Sequence, residues 1–269
     1  MNPESTPVVP APEGYRINPL SGAAVSAACG LAGPLSAEIT AALSASPKGE
    51  VSVRSADLNL PLLEKNDILA ERNRGYFLGR GLVALNLVSS PGAGKTTLLE
   101  HTLDEFGRQT KCAVLVGDLE TDNDGRRLHR PHAPVAQITT GTVCHLDAGM
   151  IARAAESLNL DGVKILFIEN VGNLVCPASF DLGEQVRVVL LSTTEGEDKP
   201  LKYPPIFKSA HVVLLTKIDL ADALGFDRAL AVENIRRIAP QARLIQLSAR
   251  SGEGLPEWYD FLRSLAPKA

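Results

Sequence analysis

The sequence predicts an α/β fold: a doubly wound, mainly parallel sheet of about seven strands with helices on both faces. Two observations carry that expectation. From Gly81 onward, short apolar β-rich runs alternate with amphipathic helical stretches. Those runs are continuously apolar, as strands buried on both faces must be. In chain order, strands are expected at 82–88, 113–116, 135–138, 163–168, 187–191, 212–215 and 244–247. Helices are expected at 95–107, 146–158, 226–238 and 255–265, where apolar residues recur at helical spacing.

The part before Gly81 reads differently. Of the first 50 residues, 28 are Pro, Ala, Ser or Gly and only Tyr15 is aromatic. Such a stretch buries too little apolar surface to offset its ordering entropy, so residues 1–50 are expected to be a flexible tail. Within it, 35–43 can form at most a transient helix. Residues 51–80 then form a linker and a surface helix, with Leu62, Leu63, Ile68, Leu69, Tyr76, Phe77 and Leu78 set among charges. Its apolar side has a choice of its own domain or a partner chain. Residues 81–269 form the main domain.

Composition narrows the class. With 269 residues, 45% of them hydrophobic, the chain can bury one sizeable core. Its net charge of −4, without a basic run, argues against a nucleic-acid partner. No apolar run is long enough to cross a bilayer and the first residues do not read as a signal peptide, so a cytoplasmic protein with no membrane partner is expected. Four cysteines do not make a disulfide scaffold.

Directly after the first predicted strand stands Ser89-Ser90-Pro91-Gly92-Ala93-Gly94-Lys95-Thr96-Thr97, then a helix. The glycines let backbone N–H groups converge on phosphate oxygens, and the helix N-terminus adds partial positive charge. Lys95 reaches the β- and γ-phosphates and Thr96 offers its hydroxyl to Mg²⁺. The general motif has Gly where this chain has Ser89. The bland alternative is a glycine-rich turn that binds nothing.

Thr216-Lys217-Ile218-Asp219, at the end of the sixth predicted strand, resembles the Asn-Lys-x-Asp base-recognition motif of GTPases. The Asp219 carboxylate can accept both guanine N1–H and the exocyclic amine, a donor pair adenine lacks. Lys217 can lie along the base. Thr216 replaces an Asn amide, so one hydroxyl must do part of its work. Ser248-Ala249-Arg250-Ser251-Gly252 follows the last strand, where a backbone N–H can meet guanine O6. GTP and GDP are therefore the expected nucleotides.

A second constellation consists of Cys144-His145, after a Gly141-containing loop, and Cys176, in a loop. Thiolate and imidazole together suit Zn²⁺ or Ni²⁺. Three donors per chain leave a tetrahedral site needing water or a ligand from a second chain. The competing reading is that the cysteines are small buried apolar groups, the reading that also suits Cys112; Cys29 has no evident role. Glu169-Asn170-Val171-Gly172 resembles the element by which GTPases sense the γ-phosphate, and Cys176 follows Gly172 by four residues. A ligand there would shift with the nucleotide state.

Gly117, Asp118, Thr121 and Asp124, the run Cys144-His145-Leu146-Asp147-Ala148, and the segments 169–184 and 195–204 together resemble the HypB family from about Asp57 onward. These are P-loop GTPases that assist nickel insertion into nickel-iron hydrogenase. The resemblance implies that Gly92, Ala93, Gly94, Lys95, Thr96, Thr97, Gly172, Lys217, Asp219, Ser248 and Ala249 bind nucleotide. It implies that Lys95, Asp118 and Glu169 serve hydrolysis and that Thr96, Asp118 and Glu169 lie around Mg²⁺, although carboxylates at strand ends also commonly cap helices. Cys144, His145 and Cys176 would bind Ni²⁺ or Zn²⁺ at the interface of a GTP-bound homodimer. A nickel-delivering accessory protein of the HypA kind and a hydrogenase large-subunit precursor are the implied partners. The implied function is a slow GTPase metallochaperone; the alternative is a GTP-binding module that zinc regulates while a partner carries the nickel. Unlike some members, residues 1–60 contain Cys29 alone and no histidine, so no separate N-terminal nickel site or store is expected.

Overall fold

The computed structural model describes residues 9–10, 15–20, 62–120 and 122–265. All seven expected strands form, and they lie parallel: β3 (Val83–Ser89), β4 (Cys112–Asp118), β5 (Val135–Thr139), β6 (Ile165–Glu169), β7 (Val186–Ser192), β8 (Val212–Thr216) and β9 (Arg243–Gln246). Two further strands, β1 (Val9–Pro10) and β2 (Arg16–Pro19), extend one edge antiparallel, giving the order β1-β2-β5-β4-β6-β3-β7-β8-β9. This corrects part of the expectation for residues 1–50. Arg16–Pro19 pairs along β5, and Tyr15 and Ile17 join the core. A four-residue strand needs only a free sheet edge to satisfy its backbone, so bulk composition did not reveal it. The remainder of 1–50, including 35–43 and Cys29, lies outside the described residues.

The helices cover both faces. On one face α2 (Lys95–Glu105) and α9 (Leu255–Leu265) pack Leu98, Leu99, Leu103, Trp258 and Leu262 on Leu85, Leu87, Val114 and Val116. Trp258 Nε1 donates to Thr102 Oγ1 at 3.0 Å, tying the two helices together. On the other face α4 (Ala148–Glu156) sets Ile151 and Ala154 over Ala113, Leu115 and Leu166. At the far edge α6 (Pro204–Lys208) and α8 (Arg228–Ile238) cover Val189, Leu191, Val213 and Leu215. Short helices α3 (Asn123–Leu128), α5 (Lys199–Lys202) and α7 (Ala221–Leu224) fill the connections. No helix among the described residues is long and apolar enough to cross a membrane.

The surface helix forms as α1 (Leu62–Gly79), but of the expected apolar residues Phe77 alone is fully buried. It buries Asn66, Ala70, Asn73 and Phe77, while Leu62 and Leu78 remain 71% and 62% exposed. Specific hydrogen bonds explain why two asparagines share that buried side. Asn73 Nδ2 donates to the carbonyls of Ala148 (2.8 Å) and Leu182 (3.0 Å), and Asn66 accepts from Ala148 N while donating to Asp181 O. A buried amide with its partners met outweighs a weak helical stripe.

Ser89, Asp118, Glu169, Ser192 and Thr216 are the last residues of β3, β4, β6, β7 and β8. Parallel strands thus bring them to one edge of the sheet, the edge at which open α/β sheets hold ligands.

Candidate functional site

Two adjoining cavities open at that edge. The larger, about 460 Å³, is lined by Gly92, Gly94, Lys95, Thr96, Thr97, Asp118, Glu169 and Gly172 among others. Gly94 has φ 97°, a left-handed turn that lets α2 start with its N–H groups facing the cavity. Lys95 Nζ donates to Ser89 Oγ at 2.8 Å, so the serine in place of the motif's first glycine holds the lysine. Thr96 Oγ1 donates to Glu169 Oε1 at 2.7 Å, while Glu169 Oε2 is buried without a hydrogen-bond partner. Burial pushes the Glu169 carboxyl up to about 7, against the opposing pull of Lys95 and the Thr96 hydroxyl. Burial likewise pulls the Lys95 ammonium below its ordinary range. A hydroxyl and a half-satisfied carboxylate facing one phosphate loop fit a Mg²⁺–nucleotide pair. Asp118 lines the cavity, and its Oδ1 also accepts from Glu120 N at 3.0 Å.

The second cavity, about 230 Å³, gathers Ala93 of the phosphate loop with Thr216, Lys217, Asp219, Ser248 and Ala249 from two further strand ends. Thr216 Oγ1 donates to Ala93 O at 2.8 Å, so its hydroxyl ties this loop to the phosphate loop. Lys217 is the only non-glycine residue with positive φ among the described residues, at 58°. Its Nζ donates to Gly92 O at 2.7 Å and its carbonyl accepts from Thr193 Oγ1. The carboxylate-bearing loop is thereby fixed beside the phosphate loop.

Cys144, His145 and Cys176 meet, with donor atoms all within 4.8 Å of one another. The helix expected from residue 146 begins at Ala148, capped by Asp147 Oδ1 on Met150 N, so Cys144 and His145 lie in the loop before it. Cys176 opens a short 3₁₀ turn, Cys176–Ser179. Cys144 Sγ donates to Cys176 Sγ at 3.0 Å, which with partial burial holds the Cys144 thiol above its usual range. His145 stacks on Phe180 with centroids 3.9 Å apart; burial lowers its pKa, and its Nδ1 is buried without a partner. A neutral imidazole with two adjacent sulfurs fits a thiophilic or borderline divalent cation. The apolar reading, by contrast, holds for Cys112, which is fully buried with its thiol pushed up to about 12.

Residues 83–246 match the family model described as CobW/HypB/UreG, nucleotide-binding domain. Over 211 residues the chain is 52% identical to hydrogenase maturation factor HypB of Escherichia coli K12, covering 78% of this chain and 73% of that protein. The probable hydrogenase maturation factor HypB of Methanocaldococcus jannaschii is 41% identical over 77% of this chain and 93% of its own. The chain belongs to the HypB family. Among solved structures, HypB of Helicobacter pylori in complex with nickel superposes with a TM-score of 0.71 at 39% identity, over 76% of this chain and 99% of that one. HypB of Archaeoglobus fulgidus gives the same TM-score at 40% identity, over 75% and 98%. The fold is therefore of the P-loop GTPase type, with a nucleotide-binding domain.

In this HypB-family chain several residues at the edge carried no role in the sequence reading. Asp124 and Arg127, from α3, line the phosphate cavity; Arg127 Nη2 donates to Glu100 (2.5 Å) and to Thr97 Oγ1 (3.3 Å). Their spacing of three on a short helix was the available signal. Asn170 and Asn173 are also engaged here. Asn173 Nδ2 donates to Cys144 O at 3.3 Å, linking the two loops that carry the thiol–imidazole cluster. Nothing in the residue order marks such a contact.

Proposed function

We propose that the chain is a GTP-hydrolysing metallochaperone that couples nucleotide state to nickel delivery for nickel-iron hydrogenase maturation. The observation that carries this reading is the continuity of one short segment. Residue 169 bonds to the phosphate-loop residue Thr96, and seven residues later Cys176 stands within the thiol–imidazole cluster. What displaces one end of so short a segment acts on the other.

Gly92, Ala93, Gly94, Lys95, Thr96 and Thr97 take the phosphates, and Lys217, Asp219, Ser248 and Ala249 take guanine. Thr96, Asp118 and Glu169 would hold Mg²⁺, which when bound neutralises charge on the β- and γ-phosphates. Lys95 stabilises the transferring phosphoryl group, Asp118 serves as the switch carboxylate beside the attacking water, and Gly172 follows the γ-phosphate. Arg127 is engaged by Glu100 and Asp124, so turnover is expected to be slow without an arginine supplied in trans. Cys144, His145 and Cys176 carry Ni²⁺, and Zn²⁺ suits the same donors. With three donors per chain, a second copy completes the shell, which makes the GTP-bound homodimer the carrier. A HypA-like accessory protein supplies nickel and the hydrogenase large-subunit precursor receives it.

The test is Ni²⁺ titration of wild type and Cys144→Ala, each with GDP and with a non-hydrolysable GTP analogue, with mass followed by light scattering. Metal affinity and dimer fraction are expected to change together with nucleotide and to be lost with Cys144. Equal nickel affinity in both nucleotide states would overturn the coupling, since a ligand without differential affinity shifts no equilibrium.

A further inference from the structure

We propose that Asn170, which lines the phosphate cavity, is a positioning residue that sets the Cys144–His145 loop according to the nucleotide bound there, an inference that rests on the coupling just described. Asn170 is 2% exposed and directly follows Glu169 at the end of β6. Its Oδ1 accepts from two backbone N–H groups, Val171 at 3.0 Å and Leu146 at 3.3 Å. Leu146 follows His145 in the chain, so this bond fastens the loop that carries two of the three metal donors.

The other end of the amide is anchored in the sheet. Asn170 Nδ2 donates to Asn86 Oδ1 at 3.2 Å, and Asn86 Nδ2 donates to Glu184 Oε1 at 3.2 Å. Asn86 is fully buried in β3, three residues before the serine that holds Lys95. Glu184 is fixed by Arg187 and by Leu182 N, and so anchors the far end of the excursion that carries Cys176. The backbone around Asn170 rests on the phosphate loop. A Cβ on Gly172 would stand 2.9 Å from Pro91 Cα, so this glycine admits the contact.

Asn170 therefore sits between Asn86 in the sheet and the backbone N–H groups of Val171 and Leu146 in two loops. A shift of 169–172 that follows the phosphate-loop occupant moves Oδ1 relative to Leu146 N–H. At 3.3 Å that bond is the longest the amide makes and the first to part. Losing it frees the backbone beside His145 and Cys144, which alters the spacing of the donors. Asn173, through Cys144 O, steadies the same loop from farther along the segment.

A merely structural asparagine would, on removal, weaken metal binding equally in both nucleotide states. A positioning residue changes their ratio. The experiment uses the full chain and Ni²⁺ titrations with GDP and with the non-hydrolysable GTP analogue, for wild type, Asn170→Ala and Asn170→Asp. Wild type is expected to give a ratio of nickel affinities away from unity, Asn170→Ala a ratio at unity, and Asn170→Asp, which keeps an oxygen at the same place, an intermediate one. Hydrogen exchange of the Leu146 amide in metal-free wild type supplies a measurement that needs no variant. Its protection is expected to differ between the two nucleotides. A wild-type ratio retained in Asn170→Ala, equal weakening in both states, or identical Leu146 protection would each overturn the role of Asn170. A wild-type ratio of unity would instead overturn the coupling itself.

Discussion

The cavity around Asp219 and the thiol–imidazole cluster lie on the same edge of the sheet but are held in different ways. The first is built from residues within a few positions of buried strands: Thr216 ends β8, and Ser248 follows β9 by two residues. Its loops are locked by short contacts to neighbouring strand ends, Thr193 Oγ1 to Lys217 O and Thr216 Oγ1 to Ala93 O. The cluster hangs on two longer excursions whose backbone groups are met by side chains from distant parts of the chain. Asn66 and Asn73 of α1 clasp Ala148 and the 181–182 carbonyls, and Asn170 and Asn173 clasp Leu146 and Cys144. Loops tied to strand ends open at a higher cost than loops held by single side-chain amides. The proposed base site thus rests on strand ends and the proposed cargo site on amide contacts.

The largest effect should separate the two regions. Cys176→Ala removes a sulfur from the cluster and is expected to abolish stoichiometric Ni²⁺ binding in titration while GDP affinity, measured without metal, stays within about twofold, since Cys176 lines neither nucleotide cavity. Loss of nucleotide binding in that variant would break the division. Next, Asp219→Ala removes a carboxylate acceptor from the second cavity. Bonds to charged groups contribute about 1.5–3 kcal/mol, so GTP affinity should fall roughly 10- to 150-fold by fluorescent-nucleotide titration. Metal affinity measured with no nucleotide present should not change.

Asn73→Ala should cost about 1–3 kcal/mol in chemical denaturation, because the Ala148 and Leu182 carbonyls lose a buried donor. The comparison predicts that it also perturbs nickel affinity more than GDP affinity; the reverse ranking would show that α1 supports the nucleotide edge instead. The pH response should differ as well. Cys144 must lose its proton to bind a cation, and its thiol is held above the ordinary range, whereas the lowered pKa of His145 leaves it neutral near pH 7. Nickel affinity should therefore rise with pH through neutrality, about tenfold per unit for each thiol proton released. A flat profile from pH 7 to 8 would mean that the thiols do not ligate. Smallest of all, Thr216→Val removes one hydroxyl bond and should weaken GTP by about 0.5–1.5 kcal/mol.

Much of this molecule was legible from residue order because the relevant physics is local. A continuous apolar run specifies a strand buried on both faces, and Gly94-Lys95-Thr96 specifies a turn into a helix whatever surrounds it. Seven strands, the phosphate loop and the types of the thiol and imidazole donors could be read that way. The contacts that organise the loops carrying those donors could not. The partner of Cys144 lies 32 positions away, and the acceptor of Leu146 N is reached only because β6 lies between β3 and β4. The same holds for α1, where Asn66 and Asn73 are buried beside Ala70 and Phe77 because two loops present backbone groups there, and for Arg16–Pro19, which pairs because β5 leaves an open edge. Sequence alone determined the elements and the chemistry they carry. Which polar groups would meet was decided by tertiary structure, because a buried hydrogen bond depends on what lies opposite it and not on what lies beside it in the chain.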